Sequence, residues 1–256
     1  MPTFKLLLAY DGTDFAGWQW QQGSRTVQGA LEEAWQSVTG ESIRVVASGR
    51  TDAGVHALGQ VVGIRSQTLL SADVLQRALN AELPRDVAVL GSDRVSDDFH
   101  AIRDAVRKRY RYVVDDGPVP DVLARRYAWY SPKPLDVDAM QHAAQALLGR
   151  HDFTSYQTLG SERVTTERTV LDISIQRPAE DPRKIWFEIE ADGFLYNMVR
   201  VIVGTLVQVG RGVRPETWPG EVLQAQDRRA AGMTAPPQGL FLLRVDYEET
   251  SKQGRG

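Results

Sequence analysis

Ser48-Gly49-Arg50-Thr51-Asp52-Ala53-Gly54-Val55-His56 brings a guanidinium, a hydroxyl, a carboxylate and an imidazole into one short loop. Its two glycines let the backbone turn tightly and expose the side chains between them. Strands are predicted at 42–48 and 60–66 on either side, so these groups would be displayed from a rigid frame. Such a density of functional groups on a loop held by strands is how catalytic side chains are usually displayed. The same residues also suit a polar hairpin in which Thr51 and Asp52 bond local amides.

A second stretch, Asp192-Gly193-Phe194-Leu195-Tyr196-Asn197-Met198-Val199-Arg200, sets Arg200 near the start of an apolar helix predicted over 195–209. A charge among so many valines and isoleucines needs a partner, or must run its stem along the core to reach water. Pairing with Asp52 would satisfy it and hold that carboxylate ionised at neutral pH. A third stretch runs from Arg103 through Arg107, Lys108, Arg109 and Arg111, with Tyr110 and Tyr112 interleaved. On a strand, Lys108, Tyr110 and Tyr112 share one face and Arg107, Arg109 and Arg111 the other. Phosphate contacts combined with aromatic stacking suit RNA, and a charged edge strand has the same look. Tyr10, Asp11, Asp14, Trp18, Gln19 and Trp20 form a fourth cluster, fit for a base or sugar or for packing.

Composition narrows the classes. The 256 residues carry 30 basic and 33 acidic side chains, a net charge of -3, so the chain is no wholesale polycation, although a local basic groove is compatible. With no cysteine there are no disulfides, thiolate metal sites or cysteine nucleophiles, in keeping with a cytoplasmic protein. His56, His100, His142 and His151 are too scattered for a zinc site. No phosphate-binding P-loop or dinucleotide fingerprint is present. No apolar run is long enough to span a membrane, and the opening apolar run stops too early for a signal peptide.

The elements that must position these groups alternate along the chain. A strand is expected at 4–10. Val27, Ala30, Leu31, Ala34, Trp35 and Val38 recur at helical spacing, predicting a helix over 26–38 that ends near Gly40. A helix capped by Ser71 runs to Pro84, followed by strands at 86–90 and 105–115. Met140, Ala143, Ala144, Leu147 and Leu148 make a helical stripe ended by Gly149. Strands follow at 168–176, 184–191 and 239–247. Short links between strands favour an α+β fold with a mostly antiparallel sheet. Leu8 to Gly12 and Ile189 to Gly193 occupy comparable places, which hints at a duplication. The expected division is an N-terminal half, 1–104, with the Asp52 loop, a C-terminal half, 105–247, and a flexible tail, 248–256.

Gly49-Arg50-Thr51-Asp52-Ala53-Gly54-Val55-His56 resembles the signature loop of the tRNA pseudouridine synthase A family. Further motifs are similar to the family's and follow its order. They are Tyr10 to Gln19, Thr26-Val27-Gln28-Gly29, Arg109-Tyr110-Arg111-Tyr112, His151 to Ser155, Gly193 to Arg200 and Ala235 to Leu240. One departure is visible: the family's Phe-x-Ala-Arg reads Phe99-His100-Ala101-Ile102, with the arginine displaced to Arg103.

The resemblance implies two similar α+β halves with a cleft between them. It implies a cofactor-independent, metal-free isomerase that converts uridine to pseudouridine at positions 38 to 40 of the tRNA anticodon stem-loop. It also implies a homodimer with a basic cleft built from both subunits. Asp52 is then the reacting or electrostatic carboxylate and Arg200 its partner, while Tyr110 stacks on the base and helps move the C5 proton. Arg50, His56, Arg103, Arg107, Arg109 and Arg111 are expected to bind the RNA, whose target base must flip out of its stack. Two other readings stand beside this one: a non-catalytic RNA-binding module, and a glycosidase-like hydrolase using Asp11 and Asp52.

Overall fold

The computed structural model describes residues 1–158 and 165–248. The elements are β1 (Thr3–Tyr10), α1 (Val27–Thr39), β2 (Val46–Ala47), β3 (His56–Arg65), α2 (Ala72–Glu82), β4 (Val87–Val95) and β5 (Ala105–Asp115). Then come β6 (Trp129–Tyr130), α3 (Val137–Ala144), β7 (Gly149–Asp152), β8 (Glu167–Gln176), β9 (Lys184–Ala191), α4 (Met198–Gly210), α5 (Trp218–Ala225) and β10 (Leu240–Tyr247). Among the described residues the strands form one ten-stranded sheet, with the path β4-β1-β3-β10-β5-β9-β8-β7 and with β2 on β3 and β6 on β5.

The expected α+β fold with two similar halves is present, and the two sheets merge into one. Strands from before residue 105 lie on one side of a seam and later strands on the other. The seam is the short parallel pairing of β3 with β10, Phe241 opposite His56 and Leu242 opposite Ala57. Alternation along β1 turns Phe4, Leu6, Leu8 and Tyr10 into the core, while Lys5 and Leu7 face the opposite side. Trp35 of α1 meets Phe4 on the core face, with ring centroids 6.1 Å apart.

Local chemistry sets the helix ends. Thr26 caps α1 by accepting from the Gly29 amide, and Gly40, at φ 75°, ends it by donating to the Gln36 carbonyl. α4 is almost wholly buried despite its β-branched residues, because tertiary packing outweighs a small loss of helix propensity. It begins at Met198 rather than 195, since Asn197 takes a left-handed conformation at φ 61°.

Other boundaries move for identifiable reasons. Only Val46–Ala47 of the strand expected at 42–48 pairs with β3, because the Val45 amide donates to the Glu32 carboxylate at 3.1 Å instead. The stripe expected to continue to Leu148 as one helix tightens after Ala144 into a 3-10 turn over Gln145–Leu147. Gly149, at φ 93°, opens β7. The short elements β6, β7 and α5 carry little periodicity. Thr217, Pro219 and Gly220 make the start of α5 look like a turn in sequence. Of the expected tail, Glu248 is exposed and 249–256 lie outside the described residues. No helix among the described residues is long and apolar enough to cross a membrane.

Gly204, inside α4, lets the segment after Gly232 lie directly on the helix. A Cβ there would come within 1.8 Å of the Met233 carbonyl oxygen. Alanine normally stabilises a helix relative to glycine. Here Gly204→Ala is expected to destabilise the protein by about 1–3 kcal/mol through overpacking, read as a lower urea midpoint with unchanged slope.

Candidate active site

The Asp52 loop is gripped by backbone that passes too close for side chains. A Cβ on Gly12 would fall 2.0 Å from the Val55 carbonyl oxygen. Gly17, at φ 98°, faces the Thr51 carbonyl oxygen at 2.9 Å in the same sense. The Trp18 amide donates to the Thr51 carbonyl at 2.9 Å, and the Val55 amide closes a turn onto the Asp52 carbonyl at 3.1 Å. Gly54, at φ 78°, lies under Pro237. The loop is thus clamped between the segment after β1 and the segment before β10.

Arg200 reaches the loop from the first turn of α4. Its Nη1 is 3.5 Å from Asp52 Oδ2, so the pair expected from sequence forms. Nε donates to the Ala235 carbonyl at 2.7 Å and Nη1 to Asn197 Oδ1 at 2.6 Å, which fixes the guanidinium plane. The electrostatic balance differs from the expectation. Burial raises the Asp52 carboxyl above its ordinary value, and the charge and hydrogen bond of Arg200 only partly offset it. Asn197 and Ala235 as partners of Arg200 are not evident from sequence spacing. The preference of asparagine for left-handed backbone at Asn197 was the available signal.

Asp52 and Arg50 line a cleft of about 1110 Å³ with Lys108, Tyr110, Ile102 and Phe194. Tyr110 packs edge-on against Phe194, with ring centroids 5.0 Å apart, and exposes only its cleft-facing part. Arg50 is exposed and makes no ion pair among the described residues. Lys108 Nζ donates to the Ser48 carbonyl at 2.6 Å, linking β5 to the base of the loop.

The structure places the remaining expected contacts elsewhere. Arg107, Arg109 and Arg111 do point to the face opposite Tyr110, but that face is the reverse of the sheet and carries no free cationic strip. Arg109 bonds Glu190 at 2.9 Å, Glu188 at 3.1 Å and Asp172 at 2.8 Å. Arg111 bonds Glu188 at 2.9 Å and stacks over Trp186, and Arg107 pairs with Asp246 at 3.0 Å. Cross-strand carboxylates on β8, β9 and β10 thus neutralise the run. Arg103 turns to Asp104 and the Asp98 carbonyl, while its neighbour Ile102 lines the cleft.

His56 is buried away from the cleft. Its Nδ1 accepts from the Gly12 amide at 3.1 Å, and Nε2 faces the carbonyls of Arg126 and Gln238 at 3.0 and 3.2 Å. Nδ1 also lies 3.1 Å from Asp11 Oδ1, so the ring joins three segments and stands outside the cleft rather than in it. Asp11 accepts from Thr13 and from the Tyr127 hydroxyl at 2.7 Å, outside the cleft, which removes the two-carboxylate hydrolase geometry. Tyr112 is fully buried and donates to the Pro236 carbonyl. Among the described residues no cluster of three histidine, aspartate or glutamate side chains is arranged to hold a metal ion.

A clamped aspartate paired with an arginine thus shares a wide cleft with the aromatic side chains of Tyr110 and Phe194. The sequence profile of the tRNA pseudouridine synthase family matches residues 7–102 and 143–248, one stretch in each half. The chain belongs to that family. The "tRNA pseudouridine synthase A" of Moorella thermoacetica is 47% identical over 250 residues, spanning 96% of this chain and 100% of that one. The proteins of the same name from Brevibacillus brevis and Thermoanaerobacter sp. (strain X514) are 46% and 43% identical over 247 residues, again 96% of this chain and 100% of theirs.

Two titrations test these electrostatics. Arg200→Gln removes the group that lowers the Asp52 carboxyl, so Asp52 should titrate at higher pH still, read by carboxyl carbon NMR with Asp52→Asn identifying the resonance. Burial lowers the His56 pKa below 6.5, with the nearby Asp11 carboxylate opposing. The unfolded chain therefore takes up this proton first. The stability His56 contributes is present above about pH 6.5 and lost as pH falls through its lower folded value. In His56→Asn the loss of stability on acidification across that window should be smaller, measured by urea melts against pH.

Proposed function

We propose that this protein isomerises uridine to pseudouridine in tRNA, with Asp52 as the reacting or charge-stabilising carboxylate. The observation that carries this reading is Asp52, clamped in its loop and paired with Arg200, lining the same cleft as Tyr110. The relatives named above carry the same activity in their names. In the reaction the bond from ribose C1′ to uracil N1 breaks, the base turns, and C1′ joins C5. The proton on C5 leaves and N1 gains one, so the product is an isomer and the net change needs no electron carrier.

Asp52 either bonds to the substrate carbon under attack or stabilises the positive charge at C1′ while the glycosidic bond is open. Arg200 orients the carboxylate and opposes its protonation. Tyr110 offers a ring face to the flipped base and a hydroxyl to the departing C5 proton. The anticodon stem-loop, at positions 38 to 40, is the proposed target, reached by flipping the base. Arg50 is the proposed phosphate contact, as an exposed cation in the cleft that makes no ion pair among the described residues. Arg103, Arg107, Arg109, Arg111 and His56 enter this reading as supports of the fold. A homodimer acting in the cytoplasm completes it, and the exposed Leu7 and Leu58 are in keeping with a second copy packing there.

The test is release of tritium from C5 of uridine in unmodified tRNA. The wild-type chain is expected to release it to water. Asp52→Asn should abolish release while tRNA affinity stays within about tenfold, because phosphate contacts dominate binding. Unchanged turnover in that variant overturns the mechanism. Tight binding without release by the wild type, across a panel of RNAs, would make the protein a binding module.

A further inference from the structure

Under the Asp52 loop lies a buried polar cluster centred on Gln60 of β3, whose side chain is fully enclosed. Its Nε2 donates to the Gly49 carbonyl at 2.8 Å and to the Tyr10 hydroxyl at 3.4 Å. Its Oε1 accepts from the Ser48 hydroxyl at 2.7 Å. The Tyr10 hydroxyl in turn lies 2.7 Å from Thr51 Oγ1. One amide therefore holds both residues that enter the loop and, through one phenol, the residue before Asp52.

The cluster has a single direction. A backbone carbonyl only accepts, so Nε2 must face Gly49 and Oε1 must face Ser48. Nε2 also points at the Tyr10 oxygen, and the phenol, which carries a proton of its own, shares a hydrogen bond with Thr51 Oγ1. Burial pushes the Tyr10 pKa up to about 12, so that proton stays in place at neutral pH. Lys108 holds the other side of Ser48 through its carbonyl. Ser48, Gly49 and Thr51 line the cleft, whereas Gln60 does not, so Gln60 touches no substrate.

We propose that Gln60 is a positioning residue for the isomerisation: it sets the height of the loop and thereby the place of the Asp52 carboxylate opposite Arg200 and the flipped base. This rests on the reading of Asp52 given above. An apolar side chain of similar length would take away the donor to the Gly49 carbonyl and leave the Ser48 hydroxyl only its bond to Tyr247, and the loop would shift to find other partners. A shift of order one ångström is enough to cost about a hundredfold in rate.

Gln60→Met is the test, run on the full chain beside Asp52→Asn, with tritium release under saturating tRNA, a pH profile of kcat, tRNA affinity and a thermal melt. The expected result is a fall in kcat of about ten- to a hundredfold per folded molecule. KM and tRNA affinity should be unchanged. The acid limb should move to higher pH, because Asp52 no longer faces Arg200 squarely. A merely structural role would lower the melting temperature without moving that limb.

Should Gln60→Met fail to fold, Tyr10→Phe keeps the ring and deletes only the link to Thr51. It should lower kcat and move the limb in the same direction. Unchanged kcat and limb, or a raised KM at unchanged kcat, overturns the role of Gln60. If Asp52→Asn is inactive in that event, Gln60 alone is misassigned; if Asp52→Asn turns over normally, the reading of the site itself fails.

Discussion

Asp52 and Arg200 stand about 150 positions apart in the sequence, in opposite halves of the chain, and meet at 3.5 Å. The rest of the fold is arranged so that this meeting can occur. β3 must run beside β10 to join the halves, the loop before β3 must be clamped, and α4 must start at the right height. Each condition depends on a close backbone approach. Gly12 and Gly17 admit the loop, Asn197 sets the first turn of α4, and Gly204 brings in the segment whose Ala235 carbonyl fixes the guanidinium. Coulomb attraction between the two charges is modest beside the cost of burying them, which is why the Asp52 carboxyl is raised even with Arg200 present. The pair therefore depends on the fold to assemble it and contributes orientation in return.

The sheet separates chemistry from support. Its covered face holds the helices, the core and the cleft. Its opposite face carries arginines of β5 interlocked with Glu188 and Glu190 of β9 and with Asp172 of β8. Such pairs are individually weak where water reaches them. As a network across neighbouring strands they fix register, since slipping β5 by one residue would drive the arginines into the core and Tyr110 out of the cleft. The position of Tyr110 beside Phe194 is thus tied to charges on the far side of the same strand.

His56 illustrates a similar division of labour. It sits in the signature loop four residues after Asp52, yet the backbone of three segments uses both of its nitrogens. Its contribution to the site is indirect: it fastens the end of the loop to the strand that crosses the seam, where it stacks on Phe241 at 4.7 Å.

Much of this was legible in the residues themselves. Period-two alternation in β1 and β5 and period-3.6 spacing in α1 are local properties, and the loop around Asp52 declares itself by the density of functional groups between two glycines. The apolar neighbours of Arg200 leave it two choices, a partner such as Asp52 or a stem run along the core to water, and the fold takes the first. Tertiary structure decided what local pattern cannot encode. The arginines of β5 look like an RNA-binding stripe until the carboxylates of β8 and β9 lie beside them, and those strands are sixty to eighty residues away. His56 and Asp11 look available until folding surrounds them. Sequence spacing determines which side chains share a face. Only the long-range strand pairing determines what stands opposite that face, and the partner opposite decides whether a charge is spent on the fold or offered to a substrate.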